Sequence, residues 1–377
     1  MKPSLSFYTN IPSPYNLDLF ESLLIHFDLK VIYYSKLESG RQWQLETEQP
    51  NYSSIILENN WLGRFIQNFK SEFHFSSGIF KLAFRDTSDS VIISGNYFCP
   101  NTYIILALTK IKKKKVFWFG EKLLPTSSVI KKKIKQILLA PLFNNCNGIL
   151  CVGIAAIRSY QSFGYKGDCQ NIPYSINSSN FDKNSLDKKK LEKIKEKLNP
   201  HNKLVILTSG SLIQRKGIDI AIRSYLNLPI NIKKNTMLWI AGDGPLRADL
   251  QAMIDDSGDI LFLGFLDSKD LAYYFNLATT FLFCSRYDGW AVVINEALSA
   301  SLPVVVSDQV TASELIINDV NGYVCKSEKV IEYSEALEKI LINIDLRLQF
   351  SDYNYNLSKS WNSDSMANKI FKMLIND

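Results

Sequence analysis

The sequence predicts an α/β protein of two doubly wound, Rossmann-like domains, and three observations carry that expectation. Short β-rich runs alternate with longer helical patterns, as a parallel sheet with crossover helices requires. The alternation occurs in two series, separated by a polar, lysine-rich stretch over 177–203 that holds Ser178-Ser179-Asn180 and ends on Pro200-His201-Asn202. At 377 residues the chain exceeds one average domain and can bury a large core.

In the first series the expected strands are 5–8, 31–34, 91–94, 116–119 and 149–152; in the second they are 204–208, 238–241, 260–263, 281–284 and 304–307. The expected organisation is therefore a first domain at 1–176, a linker with a solvated helix at 177–203, a second domain at 204–355 and a C-terminal helical segment at 356–377. Helical patterns run around 331–344 and 361–374, and the last helix is one that could return to the first domain. Trp361 and Phe371 would either anchor that return or fill the second core. Ligands of open parallel sheets bind beyond the carboxyl ends of the strands, so the chemistry is sought just after these runs.

Composition narrows the classes. Hydrophobic residues make up 46%, a globular value, and no uninterrupted apolar run reaches the roughly 18 residues of a membrane span. The amino terminus lacks the apolar core and small-residue cleavage site of a secretory signal, which leads to an expectation of a cytoplasmic protein. Six scattered cysteines with no Cys-x-x-Cys pair read as reduced structural thiols, so neither disulfides nor a metal site is expected. His26, His74 and His201 follow no strand end in a recognisable motif and read as structural or exposed, which leaves no histidine-based proton shuttle to argue for.

The most informative segment runs from Cys284 through Arg286, Asp288-Gly289-Trp290-Ala291-Val292 and Glu296 to Leu302-Pro303. It reads as strand end, glycine turn and helix start. A helix opening there aims free N–H groups and the positive end of its dipole at an anion. One carboxylate precedes the helix and the other lies about 9 Å along it at 1.5 Å per residue, a spacing suited to the two ends of a sugar nucleotide. An acidic pair at this spacing alone would favour an ordinary buried helix with a capping acid and a solvated one; the full run with its following Leu-Pro-Val strand is more specific.

This run resembles the acidic-x7-acidic signature of the retaining glycosyltransferases of family 4, also called group 1, in the variant carrying Asp-Gly-Trp. The resemblance implies the GT-B fold, two Rossmann-like domains facing each other across a cleft, and transfer from a nucleoside-diphosphate sugar with no metal or other cofactor. It implies that Asp288 contacts donor hydroxyls, that the turn from Gly289 through Trp290 and Ala291 to Val292 faces sugar and diphosphate, and that Glu296 holds the ribose. Ser301 stands where relatives usually place glycine, so a strained turn is expected.

Three further loops extend the resemblance. After strand 204–208 comes Ser209-Gly210-Ser211-Leu212-Ile213-Gln214-Arg215-Lys216-Gly217, similar to the family's Gly-Arg-Leu-x-x-x-Lys-Gly loop, whose cations neutralise the donor diphosphate. Lys216 matches, Ser211 occupies the arginine position, and Arg215 is the nearest replacement; a plain charged loop is the competing reading. Ala241-Gly242-Asp243-Gly244-Pro245 resembles the Gly-Asp-Gly-Pro loop, with Pro245 suited to the first turn of the next helix. Phe262-Leu263-Gly264-Phe265 matches a stretch whose backbone holds the nucleotide base beside Gly264 and Phe265. Uridine and guanosine are not distinguished by main-chain recognition.

The first half is less diagnostic. The loop Asn10-Ile11-Pro12-Ser13-Pro14 has no glycine and either shapes the acceptor cleft or simply turns the chain into its first helix. Asn96 and Tyr97 follow one strand and Glu121 another; Trp118-Phe119-Gly120-Glu121 resembles a Trp-Gly-Glu element of Asp-Gly-Trp relatives. These three are the acceptor-side candidates, weighed against ordinary exposed residues. Lysine runs at 110–115 and 131–135, the second leading into apolar residues to Phe143, concentrate the net charge of +6 in this half. A basic, partly apolar helix fits an anionic membrane surface and a lipid-linked acceptor; the alternative is a solvated face. No nucleic-acid reading module accompanies the charge.

The expectation is thus a retaining hexosyl transfer to a glycan or lipid-linked acceptor in cell-surface polysaccharide or lipopolysaccharide synthesis, with the protein peripheral at the inner face of the cell membrane. Two rivals stand beside it. A nicotinamide-dependent oxidoreductase would need a Gly-x-Gly-x-x-Gly turn after its first strand, which is missing. A noncatalytic sugar-nucleotide or glycan-binding protein of the same fold remains compatible with Ser211 and Ser301.

Overall fold

The computed structural model describes residues 1–36, 50–70, 72–254 and 258–376. Two compact units divide them, one from 1–175 with 363–377 and the other from 176–362. The first carries a seven-stranded sheet: β1 (Ser4–Thr9), β2 (Asp28–Tyr33), β3 (Ser53–Ile56), β4 (Ser90–Ser94), β5 (Lys115–Gly120), β6 (Gly148–Cys151) and β7 (Asp168–Asn171), in the order β3-β2-β1-β4-β5-β6-β7. Every pairing is parallel, with Phe7 beside Val31 on one side and Ile92 on the other. Burial on both faces explains why the central strands read as continuous apolar runs.

The edge strands β3 (Ser-Ser-Ile-Ile) and β7 (Asp-Cys-Gln-Asn) were not among the expected strands. They are partly exposed, β7 is polar, and β3 has only the short stretch Ile55-Ile56 within it, too little to mark a strand locally. The sequence order reverses between β1 and β4, which places the switch point of this sheet at the loops beginning with Asn10 and Gly95.

The second unit holds a six-stranded sheet: β8 (Leu204–Ser209), β9 (Thr236–Ala241), β10 (Ile260–Gly264), β11 (Thr280–Phe283), β12 (Val304–Ser307) and β13 (Gly322–Cys325), again all parallel, in the order β10-β9-β8-β11-β12-β13. Its switch point lies between β8 and β11. One core cluster runs from Ile206, Leu238 and Leu282 in the strands to Ile222, Tyr333 and Phe350 in the covering helices.

The stretch expected as a linker forms two short 3-10 turns and the helix Lys188–Leu198, which buries no residue and begins on an Asp187 cap. It belongs to the second unit. The expected boundary at 356 falls inside the helix Ile344–Ser360, so the chain leaves the second unit at 362 instead. The final helix Ser363–Asn376 does return: it packs against Pro14–Leu23, with the Ser22 hydroxyl 2.6 Å from an Asp364 carboxylate oxygen. Phe371 stacks on His26 at 4.8 Å and meets Phe27 edge-on. Trp361 lies at the end of the preceding helix, in the second unit.

Ser301 adopts φ +61, the left-handed backbone that glycine would accept without strain. That conformation costs an ordinary residue about 1–2 kcal/mol, and glycine's extra freedom in the unfolded chain returns about 0.5–1 kcal/mol of this. Ser301→Gly is therefore expected to stabilise the protein by about 0.5–1 kcal/mol, measured as a higher denaturant midpoint at unchanged slope.

Candidate active site

Four loops meet beyond the carboxyl ends of β8, β9, β10 and β11, and their backbones hold one another in place. Gly210 donates to the Ala241 carbonyl at 2.9 Å, Leu212 to Asp243 at 3.0 Å, and Gly242 to Gly264 at 2.7 Å. Arg286 donates its backbone N–H to Arg215 at 2.8 Å, tying the loop after β11 to the loop after β8. The fit leaves no room for side chains at two glycines. A Cβ on Gly242 would lie 2.0 Å from the Gly210 carbonyl oxygen, and one on Gly217, where φ is +67, 2.1 Å from that of Cys284. Gly242→Ala is expected to cost about 3 kcal/mol or more, read from denaturant unfolding, because backbone and not a flexible side chain must yield.

The charged centre lies at the switch point. Lys216 reaches Asp288 with its ammonium 2.6 Å from a carboxylate oxygen, and the Arg215 guanidinium stands 3.3 Å from the same oxygen while donating to the Tyr287 carbonyl at 2.8 Å. Lys216 and Asp288 are mostly buried, whereas Arg215 is about half exposed. Ser211, at the position where the family's loop carries arginine, is exposed. The Lys216 stem runs past Gly210, and its ammonium lies 5.2 Å from the centre of the Phe283 ring.

The helix Val292–Ser299 opens on Ala291, which has φ +69 and ψ +76 and no side-chain cap. A non-glycine residue held in that region marks a site whose surroundings impose the conformation. Here the restraint comes from the loop after β12: Asp288 donates to Gln309, Thr311 to Asp288, and Ala312 to Trp290, all through backbone N–H groups. Gly289, Ala291 and Val292 therefore form the helix entry as expected. Trp290 sits in the same turn with its side chain directed away from solvent. Its indole is 1% exposed and donates to Asn295 at 2.8 Å, so it anchors the turn in the core and offers a ligand only its backbone.

Glu296, one turn along, is 8% exposed, and burial pushes its carboxyl up to about 7. Gly244 packs tightly on the Leu212 backbone. Pro245 precedes the helix Arg247–Gln251 by two residues and so lies outside its first turn. Gly264 has φ +77, and Phe265 beside it is exposed.

Sequence reasoning missed the braces. Arg286 grips Asp219 with two bonds of 2.8 Å and also pairs with Glu328, bridging three segments behind the charged centre. Burial raises the Asp219 carboxyl, but the hydrogen bonds and charge of Arg286 outweigh it and hold the group below its ordinary value. Ser285, fully buried, donates to the Arg215 and Tyr287 carbonyls. The only sequence signal for these roles was an arginine and a serine at a strand end.

In the first unit, Asn96 and Tyr97 follow β4, and Glu121 follows its neighbour β5, so the three share one rim of the sheet. Asn96 donates to Glu72, and its carbonyl accepts from Cys99 and Thr102. Glu121 accepts from the Tyr174 hydroxyl at 3.0 Å.

Residues 189–357 match the family described as glycosyl transferases group 1, and that span contains all four loops. The likeness to the group 1 glycosyltransferases thus rests on that segment, somewhat under half of the chain. The chain is 25% identical over 162 residues to alpha-D-kanosaminyltransferase of Streptomyces kanamyceticus, the match spanning 42% of each chain. It is 24% identical over 302 residues to an uncharacterised glycosyltransferase of Methanocaldococcus jannaschii, across 76% of each chain. It is 26% identical to alpha-monoglucosyldiacylglycerol synthase of Acholeplasma laidlawii over 45% of its own length and 44% of that protein's. Thus two of these three curated relatives are matched over less than half their length.

Solved structures extend the likeness in fold to the whole chain. Anabaena HepE in complex with UDP and glucose superimposes with a TM-score of 0.77 at 14% identity, covering 99% of this chain and 100% of that one. WaaG, a glycosyltransferase involved in lipopolysaccharide biosynthesis, gives 0.69 at 15% identity over 99% and 100%. The fold is GT-B, built on two parallel Rossmann-like sheets.

Proposed function

We propose that the protein transfers a hexose-type sugar from a nucleoside-diphosphate sugar, with retention, to a glycan or lipid-linked acceptor in cell-surface polysaccharide or lipopolysaccharide synthesis. The observation that carries this reading is the Lys216–Asp288 pair, with Arg215 beside it, at the switch point of the second sheet. Complexes of HepE with UDP and with UDP-glucose support a uridine donor. WaaG and the monoglucosyldiacylglycerol synthase support a surface-glycan or lipid-linked acceptor.

In this reading Lys216, Arg215 and the helix entry at Gly289 to Val292 hold the diphosphate. A diphosphate carries more charge than one carboxylate and draws Lys216 towards itself, which frees Asp288 to accept hydrogen bonds from donor hydroxyls. Glu296 holds the ribose, and the backbone beside Gly264 and Phe265 holds the base. The bond from the anomeric carbon to the diphosphate oxygen breaks as the acceptor oxygen bonds the same face, and the acceptor proton passes to the departing phosphate. Negative charge grows on the diphosphate during this step, so the fixed cations favour the transition state over the bound donor. Asn96, Tyr97 and Glu121 are assigned to the acceptor side.

Among the described residues no helix is long and apolar enough to cross a membrane. We assign the lysine-rich helix Val129–Phe143 to an anionic membrane surface at which a lipid-linked acceptor is presented. A test of the activity incubates the full chain with a panel of UDP-, GDP- and other nucleoside-diphosphate sugars and measures release of the nucleoside diphosphate. Release from one nucleotide class supports the reading; binding without release from any donor, with or without glycan acceptors, overturns it in favour of a binding protein.

A further inference from the structure

The helix Val129–Phe143 has two apolar faces. Leu139 and Leu142 are buried against the first core. Ile130, Ile134 and Ile137, spaced for the opposite side, are 72%, 52% and 71% exposed. Folding a protein normally turns apolar helix positions inward, so a solvent-facing isoleucine stripe on a helix already packed by its other side is a feature without a structural use in this unit. Lys131 and Lys133 flank the stripe and are themselves exposed.

The neighbouring helices continue the surface. Pro100–Ile111 packs against both Val129–Phe143 and Gly78–Arg85, and the Tyr103 hydroxyl donates to the Leu138 carbonyl. Gly78–Arg85 repeats the pattern on a smaller scale. Ile79 and Ala83 face the core, while Phe80 and Phe84, four residues apart, stack on each other at 6.3 Å and are each 59% exposed. Lys112 lies over the Phe84 ring and donates to the Phe84 carbonyl, placing a cation at the edge of the aromatic pair.

We infer that this face enters an anionic lipid bilayer, with Ile130, Ile134, Ile137, Phe80 and Phe84 passing below the headgroups and the lysines staying among the phosphates. The inference rests on the proposed membrane-side acceptor and deepens it, because lysines alone give attachment that salt abolishes, whereas buried aliphatic and aromatic groups give attachment that salt leaves in place. Charge complementarity selects the bilayer over a second copy of the chain, whose matching face would bring the same lysines together.

The test is flotation of the full chain with vesicles of phosphatidylcholine and phosphatidylglycerol at low and at high salt. Wild type is expected to float with the mixed vesicles and to retain a clear fraction of that binding in high salt. The variant Ile130→Ser/Ile134→Ser/Ile137→Ser is expected to lose the salt-resistant fraction by roughly tenfold or more, while Phe80→Ser/Phe84→Ser lowers it on a separately packed helix. Nucleoside-diphosphate sugar binding by both variants serves as the control for folding, and its failure in wild type would count against the catalytic reading alone. Wild type that releases fully in high salt, variants that float as well as wild type, or a concentration-dependent dimer abolished by the isoleucine changes would each overturn the inference.

Discussion

Asp288→Ala is expected to lower kcat/KM by about a hundredfold to a thousandfold, the usual loss when one preorganised polar contact to the reacting sugar is removed. Loss of stability should be far smaller than this loss of activity. The carboxylate is paired with Lys216 and Arg215, so its removal leaves Lys216 without its partner, but Lys216 can turn towards solvent from a site that is partly open. Lys216→Ala should depress turnover on a similar scale, because no other lysine lies in these loops to neutralise the diphosphate. The two residues touch at 2.6 Å, so their effects should not add. The double variant is expected to be little worse than the more damaged single one. Steady-state kinetics of all three proteins, with circular dichroism as the folding control, would check this; wild-type turnover in Lys216→Ala would remove the proposed diphosphate site.

Glu296 offers the second large effect, and one with an unusual sign. Burial holds its carboxyl near 7 in the folded protein against an ordinary 4.5. Between those values the folded chain binds more protons than the unfolded one, so stability is full below pH 4.5 and falls as pH rises through about 7, by a total of about 3 kcal/mol. Glu296→Gln removes the titration and should flatten this limb, leaving the variant more stable than wild type at pH 8. Donor binding is expected to run the other way. Ribose hydroxyls donate to an ionised carboxylate, so wild-type affinity should increase from pH 6 to pH 8, and the glutamine variant should bind about tenfold or more weakly at pH 8 with little pH dependence. Denaturant unfolding and donor titration across pH 5–8 would measure both. A site that stabilises the fold and weakens donor binding with the same substitution is the pattern of a residue kept for function at a cost in stability.

Much of the second unit was legible because its chemistry is local. Each strand from 204 to 307 ends in a loop whose glycines and charges follow directly in the chain, so Lys216, Gly242, Gly264 and Asp288 could be placed one after another. What escaped was either weak in local signal or distant in the chain. The edge strands Ser53–Ile56 and Asp168–Asn171 carry at most two apolar residues in a row, because an edge needs little burial. Arg286 acts through Asp219 and Glu328, and pairings over such separations leave no periodic trace. The motif placed the turn amides around Trp290, but that its indole is buried and bonded to Asn295, pegging the turn, was visible only in the fold. The strain expected at Ser301 is present, and a second strained residue, Ala291, lies at the helix entry itself, where no sequence feature announced it. On the Val129–Phe143 helix, alternating lysines and isoleucines could be read as amphipathic, but which apolar side faced the core was decided only by packing.

Titration calorimetry of wild type and Lys216→Met with the nucleoside-diphosphate sugars tests the central claim most directly, since the claim is that the loops after β8 and β11 grip a diphosphate. The account predicts that at least one such donor binds wild type and binds the methionine variant at least about tenfold more weakly, the loss expected for one charge-assisted contact. Equal affinity in both proteins, or no binding of any donor to wild type, would contradict it.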